Sequence, residues 1–230
     1  MVCAKYRIRF CKGGDLRLIS HHDLMRCLER MLRRVALPFH STQGFNPKPR
    51  MVFALSLALG IVGCAEVVEL GLDVELPPDE LHARLAQQAP PGLEIISVQR
   101  IDPRQSARVR RVSYRLPLPP GRDRDLGDKI AAVLASPHCW VERTRPQPRR
   151  LDVRPYLRGL HFDTQALVID LWVVPNGAAR PEEVLELLGL SDLLKDGAVL
   201  ERHLLELHDE IQESEVTSHE SGVRSQESSK

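Results

Sequence analysis

The sequence predicts an α+β protein built as two tandem ferredoxin-like (split βαβ) halves with a disordered acidic C-terminal tail. Three observations predict it. Strand-like and helix-like patterns run in the order strand, helix, strand, strand, helix, strand over residues 1–102. The same order begins again after a linker at 103–110 and fills 111–209, while 210–230 is acidic and nearly free of apolar side chains.

Tyr6 to Phe10 alternates, with Tyr6, Ile8 and Phe10 on one side and Arg7 and Arg9 on the other, the period of a half-buried strand. A turn at Gly13-Gly14 leads to Ser20 and, three residues on, Asp23. This is a helix start in which the hydroxyl caps free N–H groups and the carboxylate meets the positive end of the dipole. Leu24, Leu28, Met31, Leu32 and Val35 recur at helical spacing, opposite Arg26, Arg30, Arg33 and Arg34. Pro38 ends the helix, and Gly44, Pro47 and Pro49 exclude regular structure from the loop STQGFNPKPR. Met51 to Leu59 and Glu66 to Val74 read as the second and third strands, joined near Gly60 and Gly63. Pro77 to Glu80 opens a helix with Leu81, Leu85 and Ala89 inward, Gly92 stops it, and Leu93 to Ile101 is the fourth strand.

In the second half, Arg111 to Leu118 is a strand, Leu126 to Leu134 a short helix, and Cys139 to Glu142 begins an extended, proline-broken region. Ala166 to Val174 is a β-branched strand, and Pro181-Glu182-Glu183 opens a helix that ends at Gly189. Val199 to His208 has strand character, with helix also open there.

Hydrophobic residues make up 43% and charged residues 27% of the 230, enough for a real core. The net charge of +1 hides an uneven spread: residues 1–60 are rich in Lys and Arg, and the last thirty are acidic. That asymmetry points to an anionic partner for the front. Five cysteines with no C-x-x-C pair argue for reduced thiols rather than a disulfide framework or zinc knuckle. The start lacks the apolar stretch of a signal peptide and no run reaches the ~20 apolar residues of a span, so the expected location is cytoplasmic, away from membranes.

Two clusters carry potential chemistry. His21, His22 and Asp23 join adjacent imidazoles to a carboxylate and could move protons; capping with one buried ring explains the same residues. In the loop, Gln43, Phe45, Asn46, Lys48 and Arg50 form the candidate binding set: Phe45 can stack on a base, Asn46 can read its edge, and Lys48 and Arg50 can hold phosphates, which suits a single-stranded nucleic acid. A rigid connection with Phe45 in the core is the alternative. The helix arginines add to this basic surface, and Arg143, Arg145, Arg149, Arg150, Arg154 and Arg158 form a second basic region. There is no Gly-rich phosphate loop, G-x-S-x-G, H-E-x-x-H or three-cysteine cluster, so the sequence supports no metal site, no cofactor and no catalytic activity of its own.

The segments YRIRFCKGGDLRLISHHDLMRCLERMLRRVALP and STQGFNPKPRMVFALSLALG closely resemble the opening of the bacterial radical-SAM-linked proteins, a domain of unknown function found beside or fused to a radical SAM protein. RLDVRPYLRGL and GAARPEEVLELLGL look like that family's second half. The sequence departs from the family pattern at Ile19, His22 and Lys48, the last often His in the family. The resemblance implies an accessory subunit that binds or presents a substrate, with RNA as the expected substrate. The iron–sulfur cluster and S-adenosylmethionine would reside in the radical SAM partner encoded nearby. A module that docks this partner without nucleic acid, and a metal-independent RNA-processing enzyme using His21 or His22, are the rival expectations.

Overall fold

The structure is a computed structural model, and it describes residues 4–40, 49–144, 147–163, 165–175 and 177–210. The tail beyond Glu210 lies outside the described residues. In chain order the elements of the first half are β1 (Ala4–Lys12), α1 (His21–Arg34), β2 (Met51–Phe53), β3 (Val62–Leu72), α2 (Pro78–Gln88) and β4 (Leu93–Ile101). Then come β5 (Val109–Pro117), α3 (Leu126–Ala135), β6 (Trp140–Arg143), β7 (Arg149–Asp152), β8 (Leu157–Asp163), β9 (Ala166–Val174), β10 (Gly177–Ala178), α4 (Pro181–Leu188), α5 (Ser191–Lys195) and β11 (Glu201–Leu207). The chain is a mixed α+β protein, mostly sheet with few helices. Among the described residues, no helix is long and apolar enough to cross a membrane.

One sheet of nine strands runs through the described residues in the order β10-β9-β5-β11-β3-β1-β4, with β2 added on β3 and β8 on β9. Strands β4-β1-β3-β2 are antiparallel neighbours, and so are β11-β5-β9-β8. The two sets meet where β11 runs parallel to β3, Glu201 opposite Val62 and Arg202 opposite Gly63.

Alternation along each strand sorts the side chains. Tyr6, Ile8 and Phe10 of β1 and Val68, Leu70 and Leu72 of β3 pack against Leu24, Leu28 and Leu32 of α1 and Leu81 and Leu85 of α2. In the second half, Tyr114 and Leu116 of β5 and Ile169 of β9 meet Leu126 of α3 and Leu185 of α4. The opposite face of the sheet is charged but largely neutralised: Arg7 Nη2 lies 3.0 Å from Glu69, Arg111 Nη2 2.7 Å from Glu206, and Arg158 Nη1 3.4 Å from Asp170.

Several boundaries differ from the sequence reading. The second strand is only Met51–Phe53, because beyond it Leu57 and Ile61 leave the sheet and enter the core of the second half. The expected linker is shorter, since β5 begins at Val109; before it a turn closes from the Gln105 N–H to the Asp102 carbonyl, 2.9 Å. The extended region after Cys139 is a separate two-stranded hairpin, β6–β7, followed by β8 in the main sheet. The segment left open between helix and strand is the strand β11. Glu210, placed at the start of the tail, is anchored: its carboxylate accepts from Arg9 and, at 3.0 Å, from the Leu207 N–H.

Candidate nucleic-acid interface

Helix α1 starts as its sequence dictates. The Ser20 hydroxyl accepts from the Asp23 N–H at 3.2 Å and donates to the Asp23 carboxylate at 2.7 Å. That bond, with Arg26 next, holds the Asp23 carboxyl below its usual range. The carboxylate therefore serves the cap and Arg26 rather than an imidazole. His21 stands edge-on to Phe53, ring centroids 4.7 Å apart, and burial, with His22 and Lys12 nearby, pushes its pKa below the ordinary value. His22 is exposed, its ring centroid 6.3 Å from that of His21. At neutral pH His21 is an uncharged ring packed on an aromatic, with no carboxylate partner among the described residues.

Arg26, Arg30, Arg33 and Arg34 are all exposed. Two of them carry carboxylates one turn away: Arg26 with Asp23 at 3.4 Å and Arg33 with Glu29 at 2.9 Å. Such surface pairs are weak, and Arg30 and Arg34 have no ion-pair partner among the described residues. The row keeps a positive excess, and Arg33 and Arg34 also suit the negative end of the helix dipole.

Gln43, Phe45, Asn46 and Lys48 of the proline-rich loop lie outside the described residues. Arg50 does not. In β2, Met51 and Phe53 turn to the α1 side, so Arg50 and Val52 turn to the other face of the sheet. There Arg50 lines a pocket of roughly 300 Å³ together with Lys5, Gly71, Arg104, Gln105 and Ser106. Lys5 donates to the Gln105 carbonyl and lies 2.8 Å from Glu69, which Arg7 shares. Arg50 and Arg104 are exposed and have no carboxylate partner among the described residues. Just across the same edge, Pro49 and Met51 border a smaller pocket with His22, Arg26 and Glu29. The helix row and the Arg50 pocket thus flank residues 49–51 from opposite sides rather than sharing one face.

Nothing in the local sequence groups Lys5 and Arg104 with Arg50. They are far apart in the chain, and only the β1–β3–β2 pairing and the turn after β4 bring them together. Of the second basic region, Arg149 and Arg150 are exposed on β7, while other members are committed to structure. Arg143 is buried against Glu183, Nε to Oε1 2.6 Å, and Arg154 donates to the carbonyls of Leu134 (3.1 Å), Ser136 (3.2 Å) and Leu157 (3.3 Å). Arg158 is paired with Asp170 and Arg150 lies over the Trp140 ring at 4.5 Å, whereas Arg145 lies outside the described residues. Among the described residues, no three His, Cys, Asp or Glu side chains gather into a group that could hold a metal.

A family model described as "Uncharacterized protein conserved in bacteria (DUF2344)" matches residues 5–181, which takes in β1, α1, both pockets at the β2 edge and the chain as far as the start of α4. The chain belongs to this family. No curated protein matches it. Among solved structures it is similar to "Crystal Structure of an Unknown Protein from Galdieria sulphuraria", at 14% identity over 89% of this chain and 98% of that one, with a TM-score of 0.28. Likeness at that level assigns neither fold nor activity.

Proposed function

We propose that this chain is a non-catalytic accessory subunit that binds RNA on its first half and presents it to a radical SAM protein. One observation carries the RNA part: Lys5, Arg50 and Arg104 meet around a single pocket whose one carboxylate, Glu69, is already shared with Arg7. A phosphate there would be met by cations with few competing carboxylates. Arg26, on the other side of residues 49–51, supplies the next contact, so a single strand laid over this edge would be gripped on both sides.

The partner assignment rests on the resemblance of the SHHDLMR and QGFNPKPR segments to the radical-SAM-linked proteins. The iron–sulfur cluster and S-adenosylmethionine belong to that partner in this reading, and the location is the cytoplasm. We read the two halves as ferredoxin-like repeats, a reading supported by their shared strand order and antiparallel pairing.

Fluorescence anisotropy with a labelled single-stranded RNA tests the proposal. The double variant Arg50→Glu/Arg104→Glu should bind roughly ten-fold or more weakly than wild type, as two lost phosphate contacts require. Equal affinity of the two proteins would remove the proposal.

A further inference from the structure

A second concavity lies where the two halves meet. It is a cleft of roughly 730 Å³, within the size range of ligand sites. One wall is the loop after β2, with Leu55, Leu57 and Ala58; the other is the end of β6 and the start of α4. Tyr114 and Arg202, both more than nine-tenths buried, form its floor.

The charges in this cleft are not balanced in their availability. Each buried arginine is already committed. Arg202 donates to Glu66 and to the carbonyls of Ser56 (3.2 Å) and Leu55 (3.4 Å). Arg143 is held by both oxygens of Glu183, at 2.6 and 2.8 Å, and also donates to the Ala178 carbonyl at 3.1 Å. Arg180, at the rim, is engaged as well. The carboxylates of Glu142, Glu182 and Glu186 line the same cleft and have no ion-pair partner among the described residues. The unspent charge is therefore negative, above a mostly apolar wall. On the floor, Tyr114 lines the cleft with its side chain more than nine-tenths buried, and its phenol O–H is a donor available to an incoming carbonyl.

We infer that this cleft is a docking site for a lysine- or arginine-rich peptide segment of a partner protein. Basic side chains would meet Glu142, Glu182 and Glu186, the aliphatic stems of those side chains would cover Leu57 and Ala58, and a backbone carbonyl would accept from Tyr114. RNA is repelled by the same three carboxylates, so the cleft and the Lys5–Arg50–Arg104 pocket take opposite kinds of partner. The inference does not depend on the RNA proposal.

The test uses the full chain and a short fluorescein-labelled peptide of alternating arginine and leucine. Wild type should bind it; the triple variant Glu142→Gln/Glu182→Gln/Glu186→Gln should bind at least roughly ten-fold more weakly, the size of one lost charge-assisted contact. Ala58→Trp, which fills the cleft from an exposed position and leaves the charges alone, should weaken it similarly. Circular-dichroism melting curves of both variants check that the fold is kept, and their RNA affinity, read in parallel, should be undiminished. Failure of wild type to bind at millimolar peptide, undiminished binding by the triple variant, or displacement of the peptide by spermine at equal concentration would each overturn the docking site.

Discussion

Arg202 and Glu66 are 136 residues apart in the chain and form a two-point ion pair with both side chains almost fully buried at the seam between the halves. The pair sits where β11 joins β3, and the Arg202 guanidinium also gathers the loop after β2 through the Ser56 and Leu55 carbonyls. It therefore fixes strand, loop and seam together.

Removing one member of such a pair leaves a buried charge without a counter-charge. Arg202→Met should destabilise the protein by about 3–5 kcal/mol, whereas Glu66→Leu combined with Arg202→Met should recover much of that loss. Urea unfolding of the two variants checks this. A single variant as stable as wild type would show that the pair does not hold the seam.

Cys64 has its thiol pKa pushed up to about 11, by burial first and then by Cys11 and the carboxylates of Glu201 and Glu66. Fewer than the usual fraction of its molecules are thiolate at pH 8, so alkylation by iodoacetamide should be slow there and quicken only as the pH approaches that value. Peptide mass spectrometry after timed labelling gives the rate, with the exposed-thiol reagent glutathione as the reference. Labelling of Cys64 at the glutathione rate at pH 8 would contradict this environment.

Glu206 is pushed up by burial, but hydrogen bonds from Arg111 and Arg110 outweigh that and hold its folded pKa below the ordinary value. A depressed carboxyl pKa contributes stability that is present above the unfolded value, about 4.3, and is lost as pH falls through the lower folded one. Glu206→Gln should therefore lower stability at pH 7 and flatten its decline on acidification. Urea midpoints measured from pH 7 down to acid check it, and an equally steep decline in the variant would count against the pairing.

Much of the fold was legible because alternation and capping are local. The β1 alternation, the Ser20 cap and the start of α4 at Pro181 all stand where the sequence put them. The seam was not legible, because it consists of a parallel pairing at two residues of β11, and nothing local in Glu201-Arg202 encodes a partner strand. Charge was the least readable feature. Arg143, Arg154 and Arg202 look like surface residues in a sequence, yet carbonyls and carboxylates supplied from elsewhere in the chain bring each of them inward or commit it to structure. Of the proposed interface, the α1 row was readable from helical spacing, while the gathering of Lys5 and Arg104 around Arg50 needed the strand order.

If a cationic pocket at the β2 edge holds RNA phosphates, the salt dependence of binding counts those contacts. For single-stranded RNA, the slope of log K against log salt should become shallower by about 0.7 for each phosphate contact removed, as Arg50→Ala and Arg104→Ala are introduced singly and together. A stepwise change of that size is the predicted result. Slopes that stay the same in all four proteins, or an absence of salt-dependent binding in wild type, would contradict it.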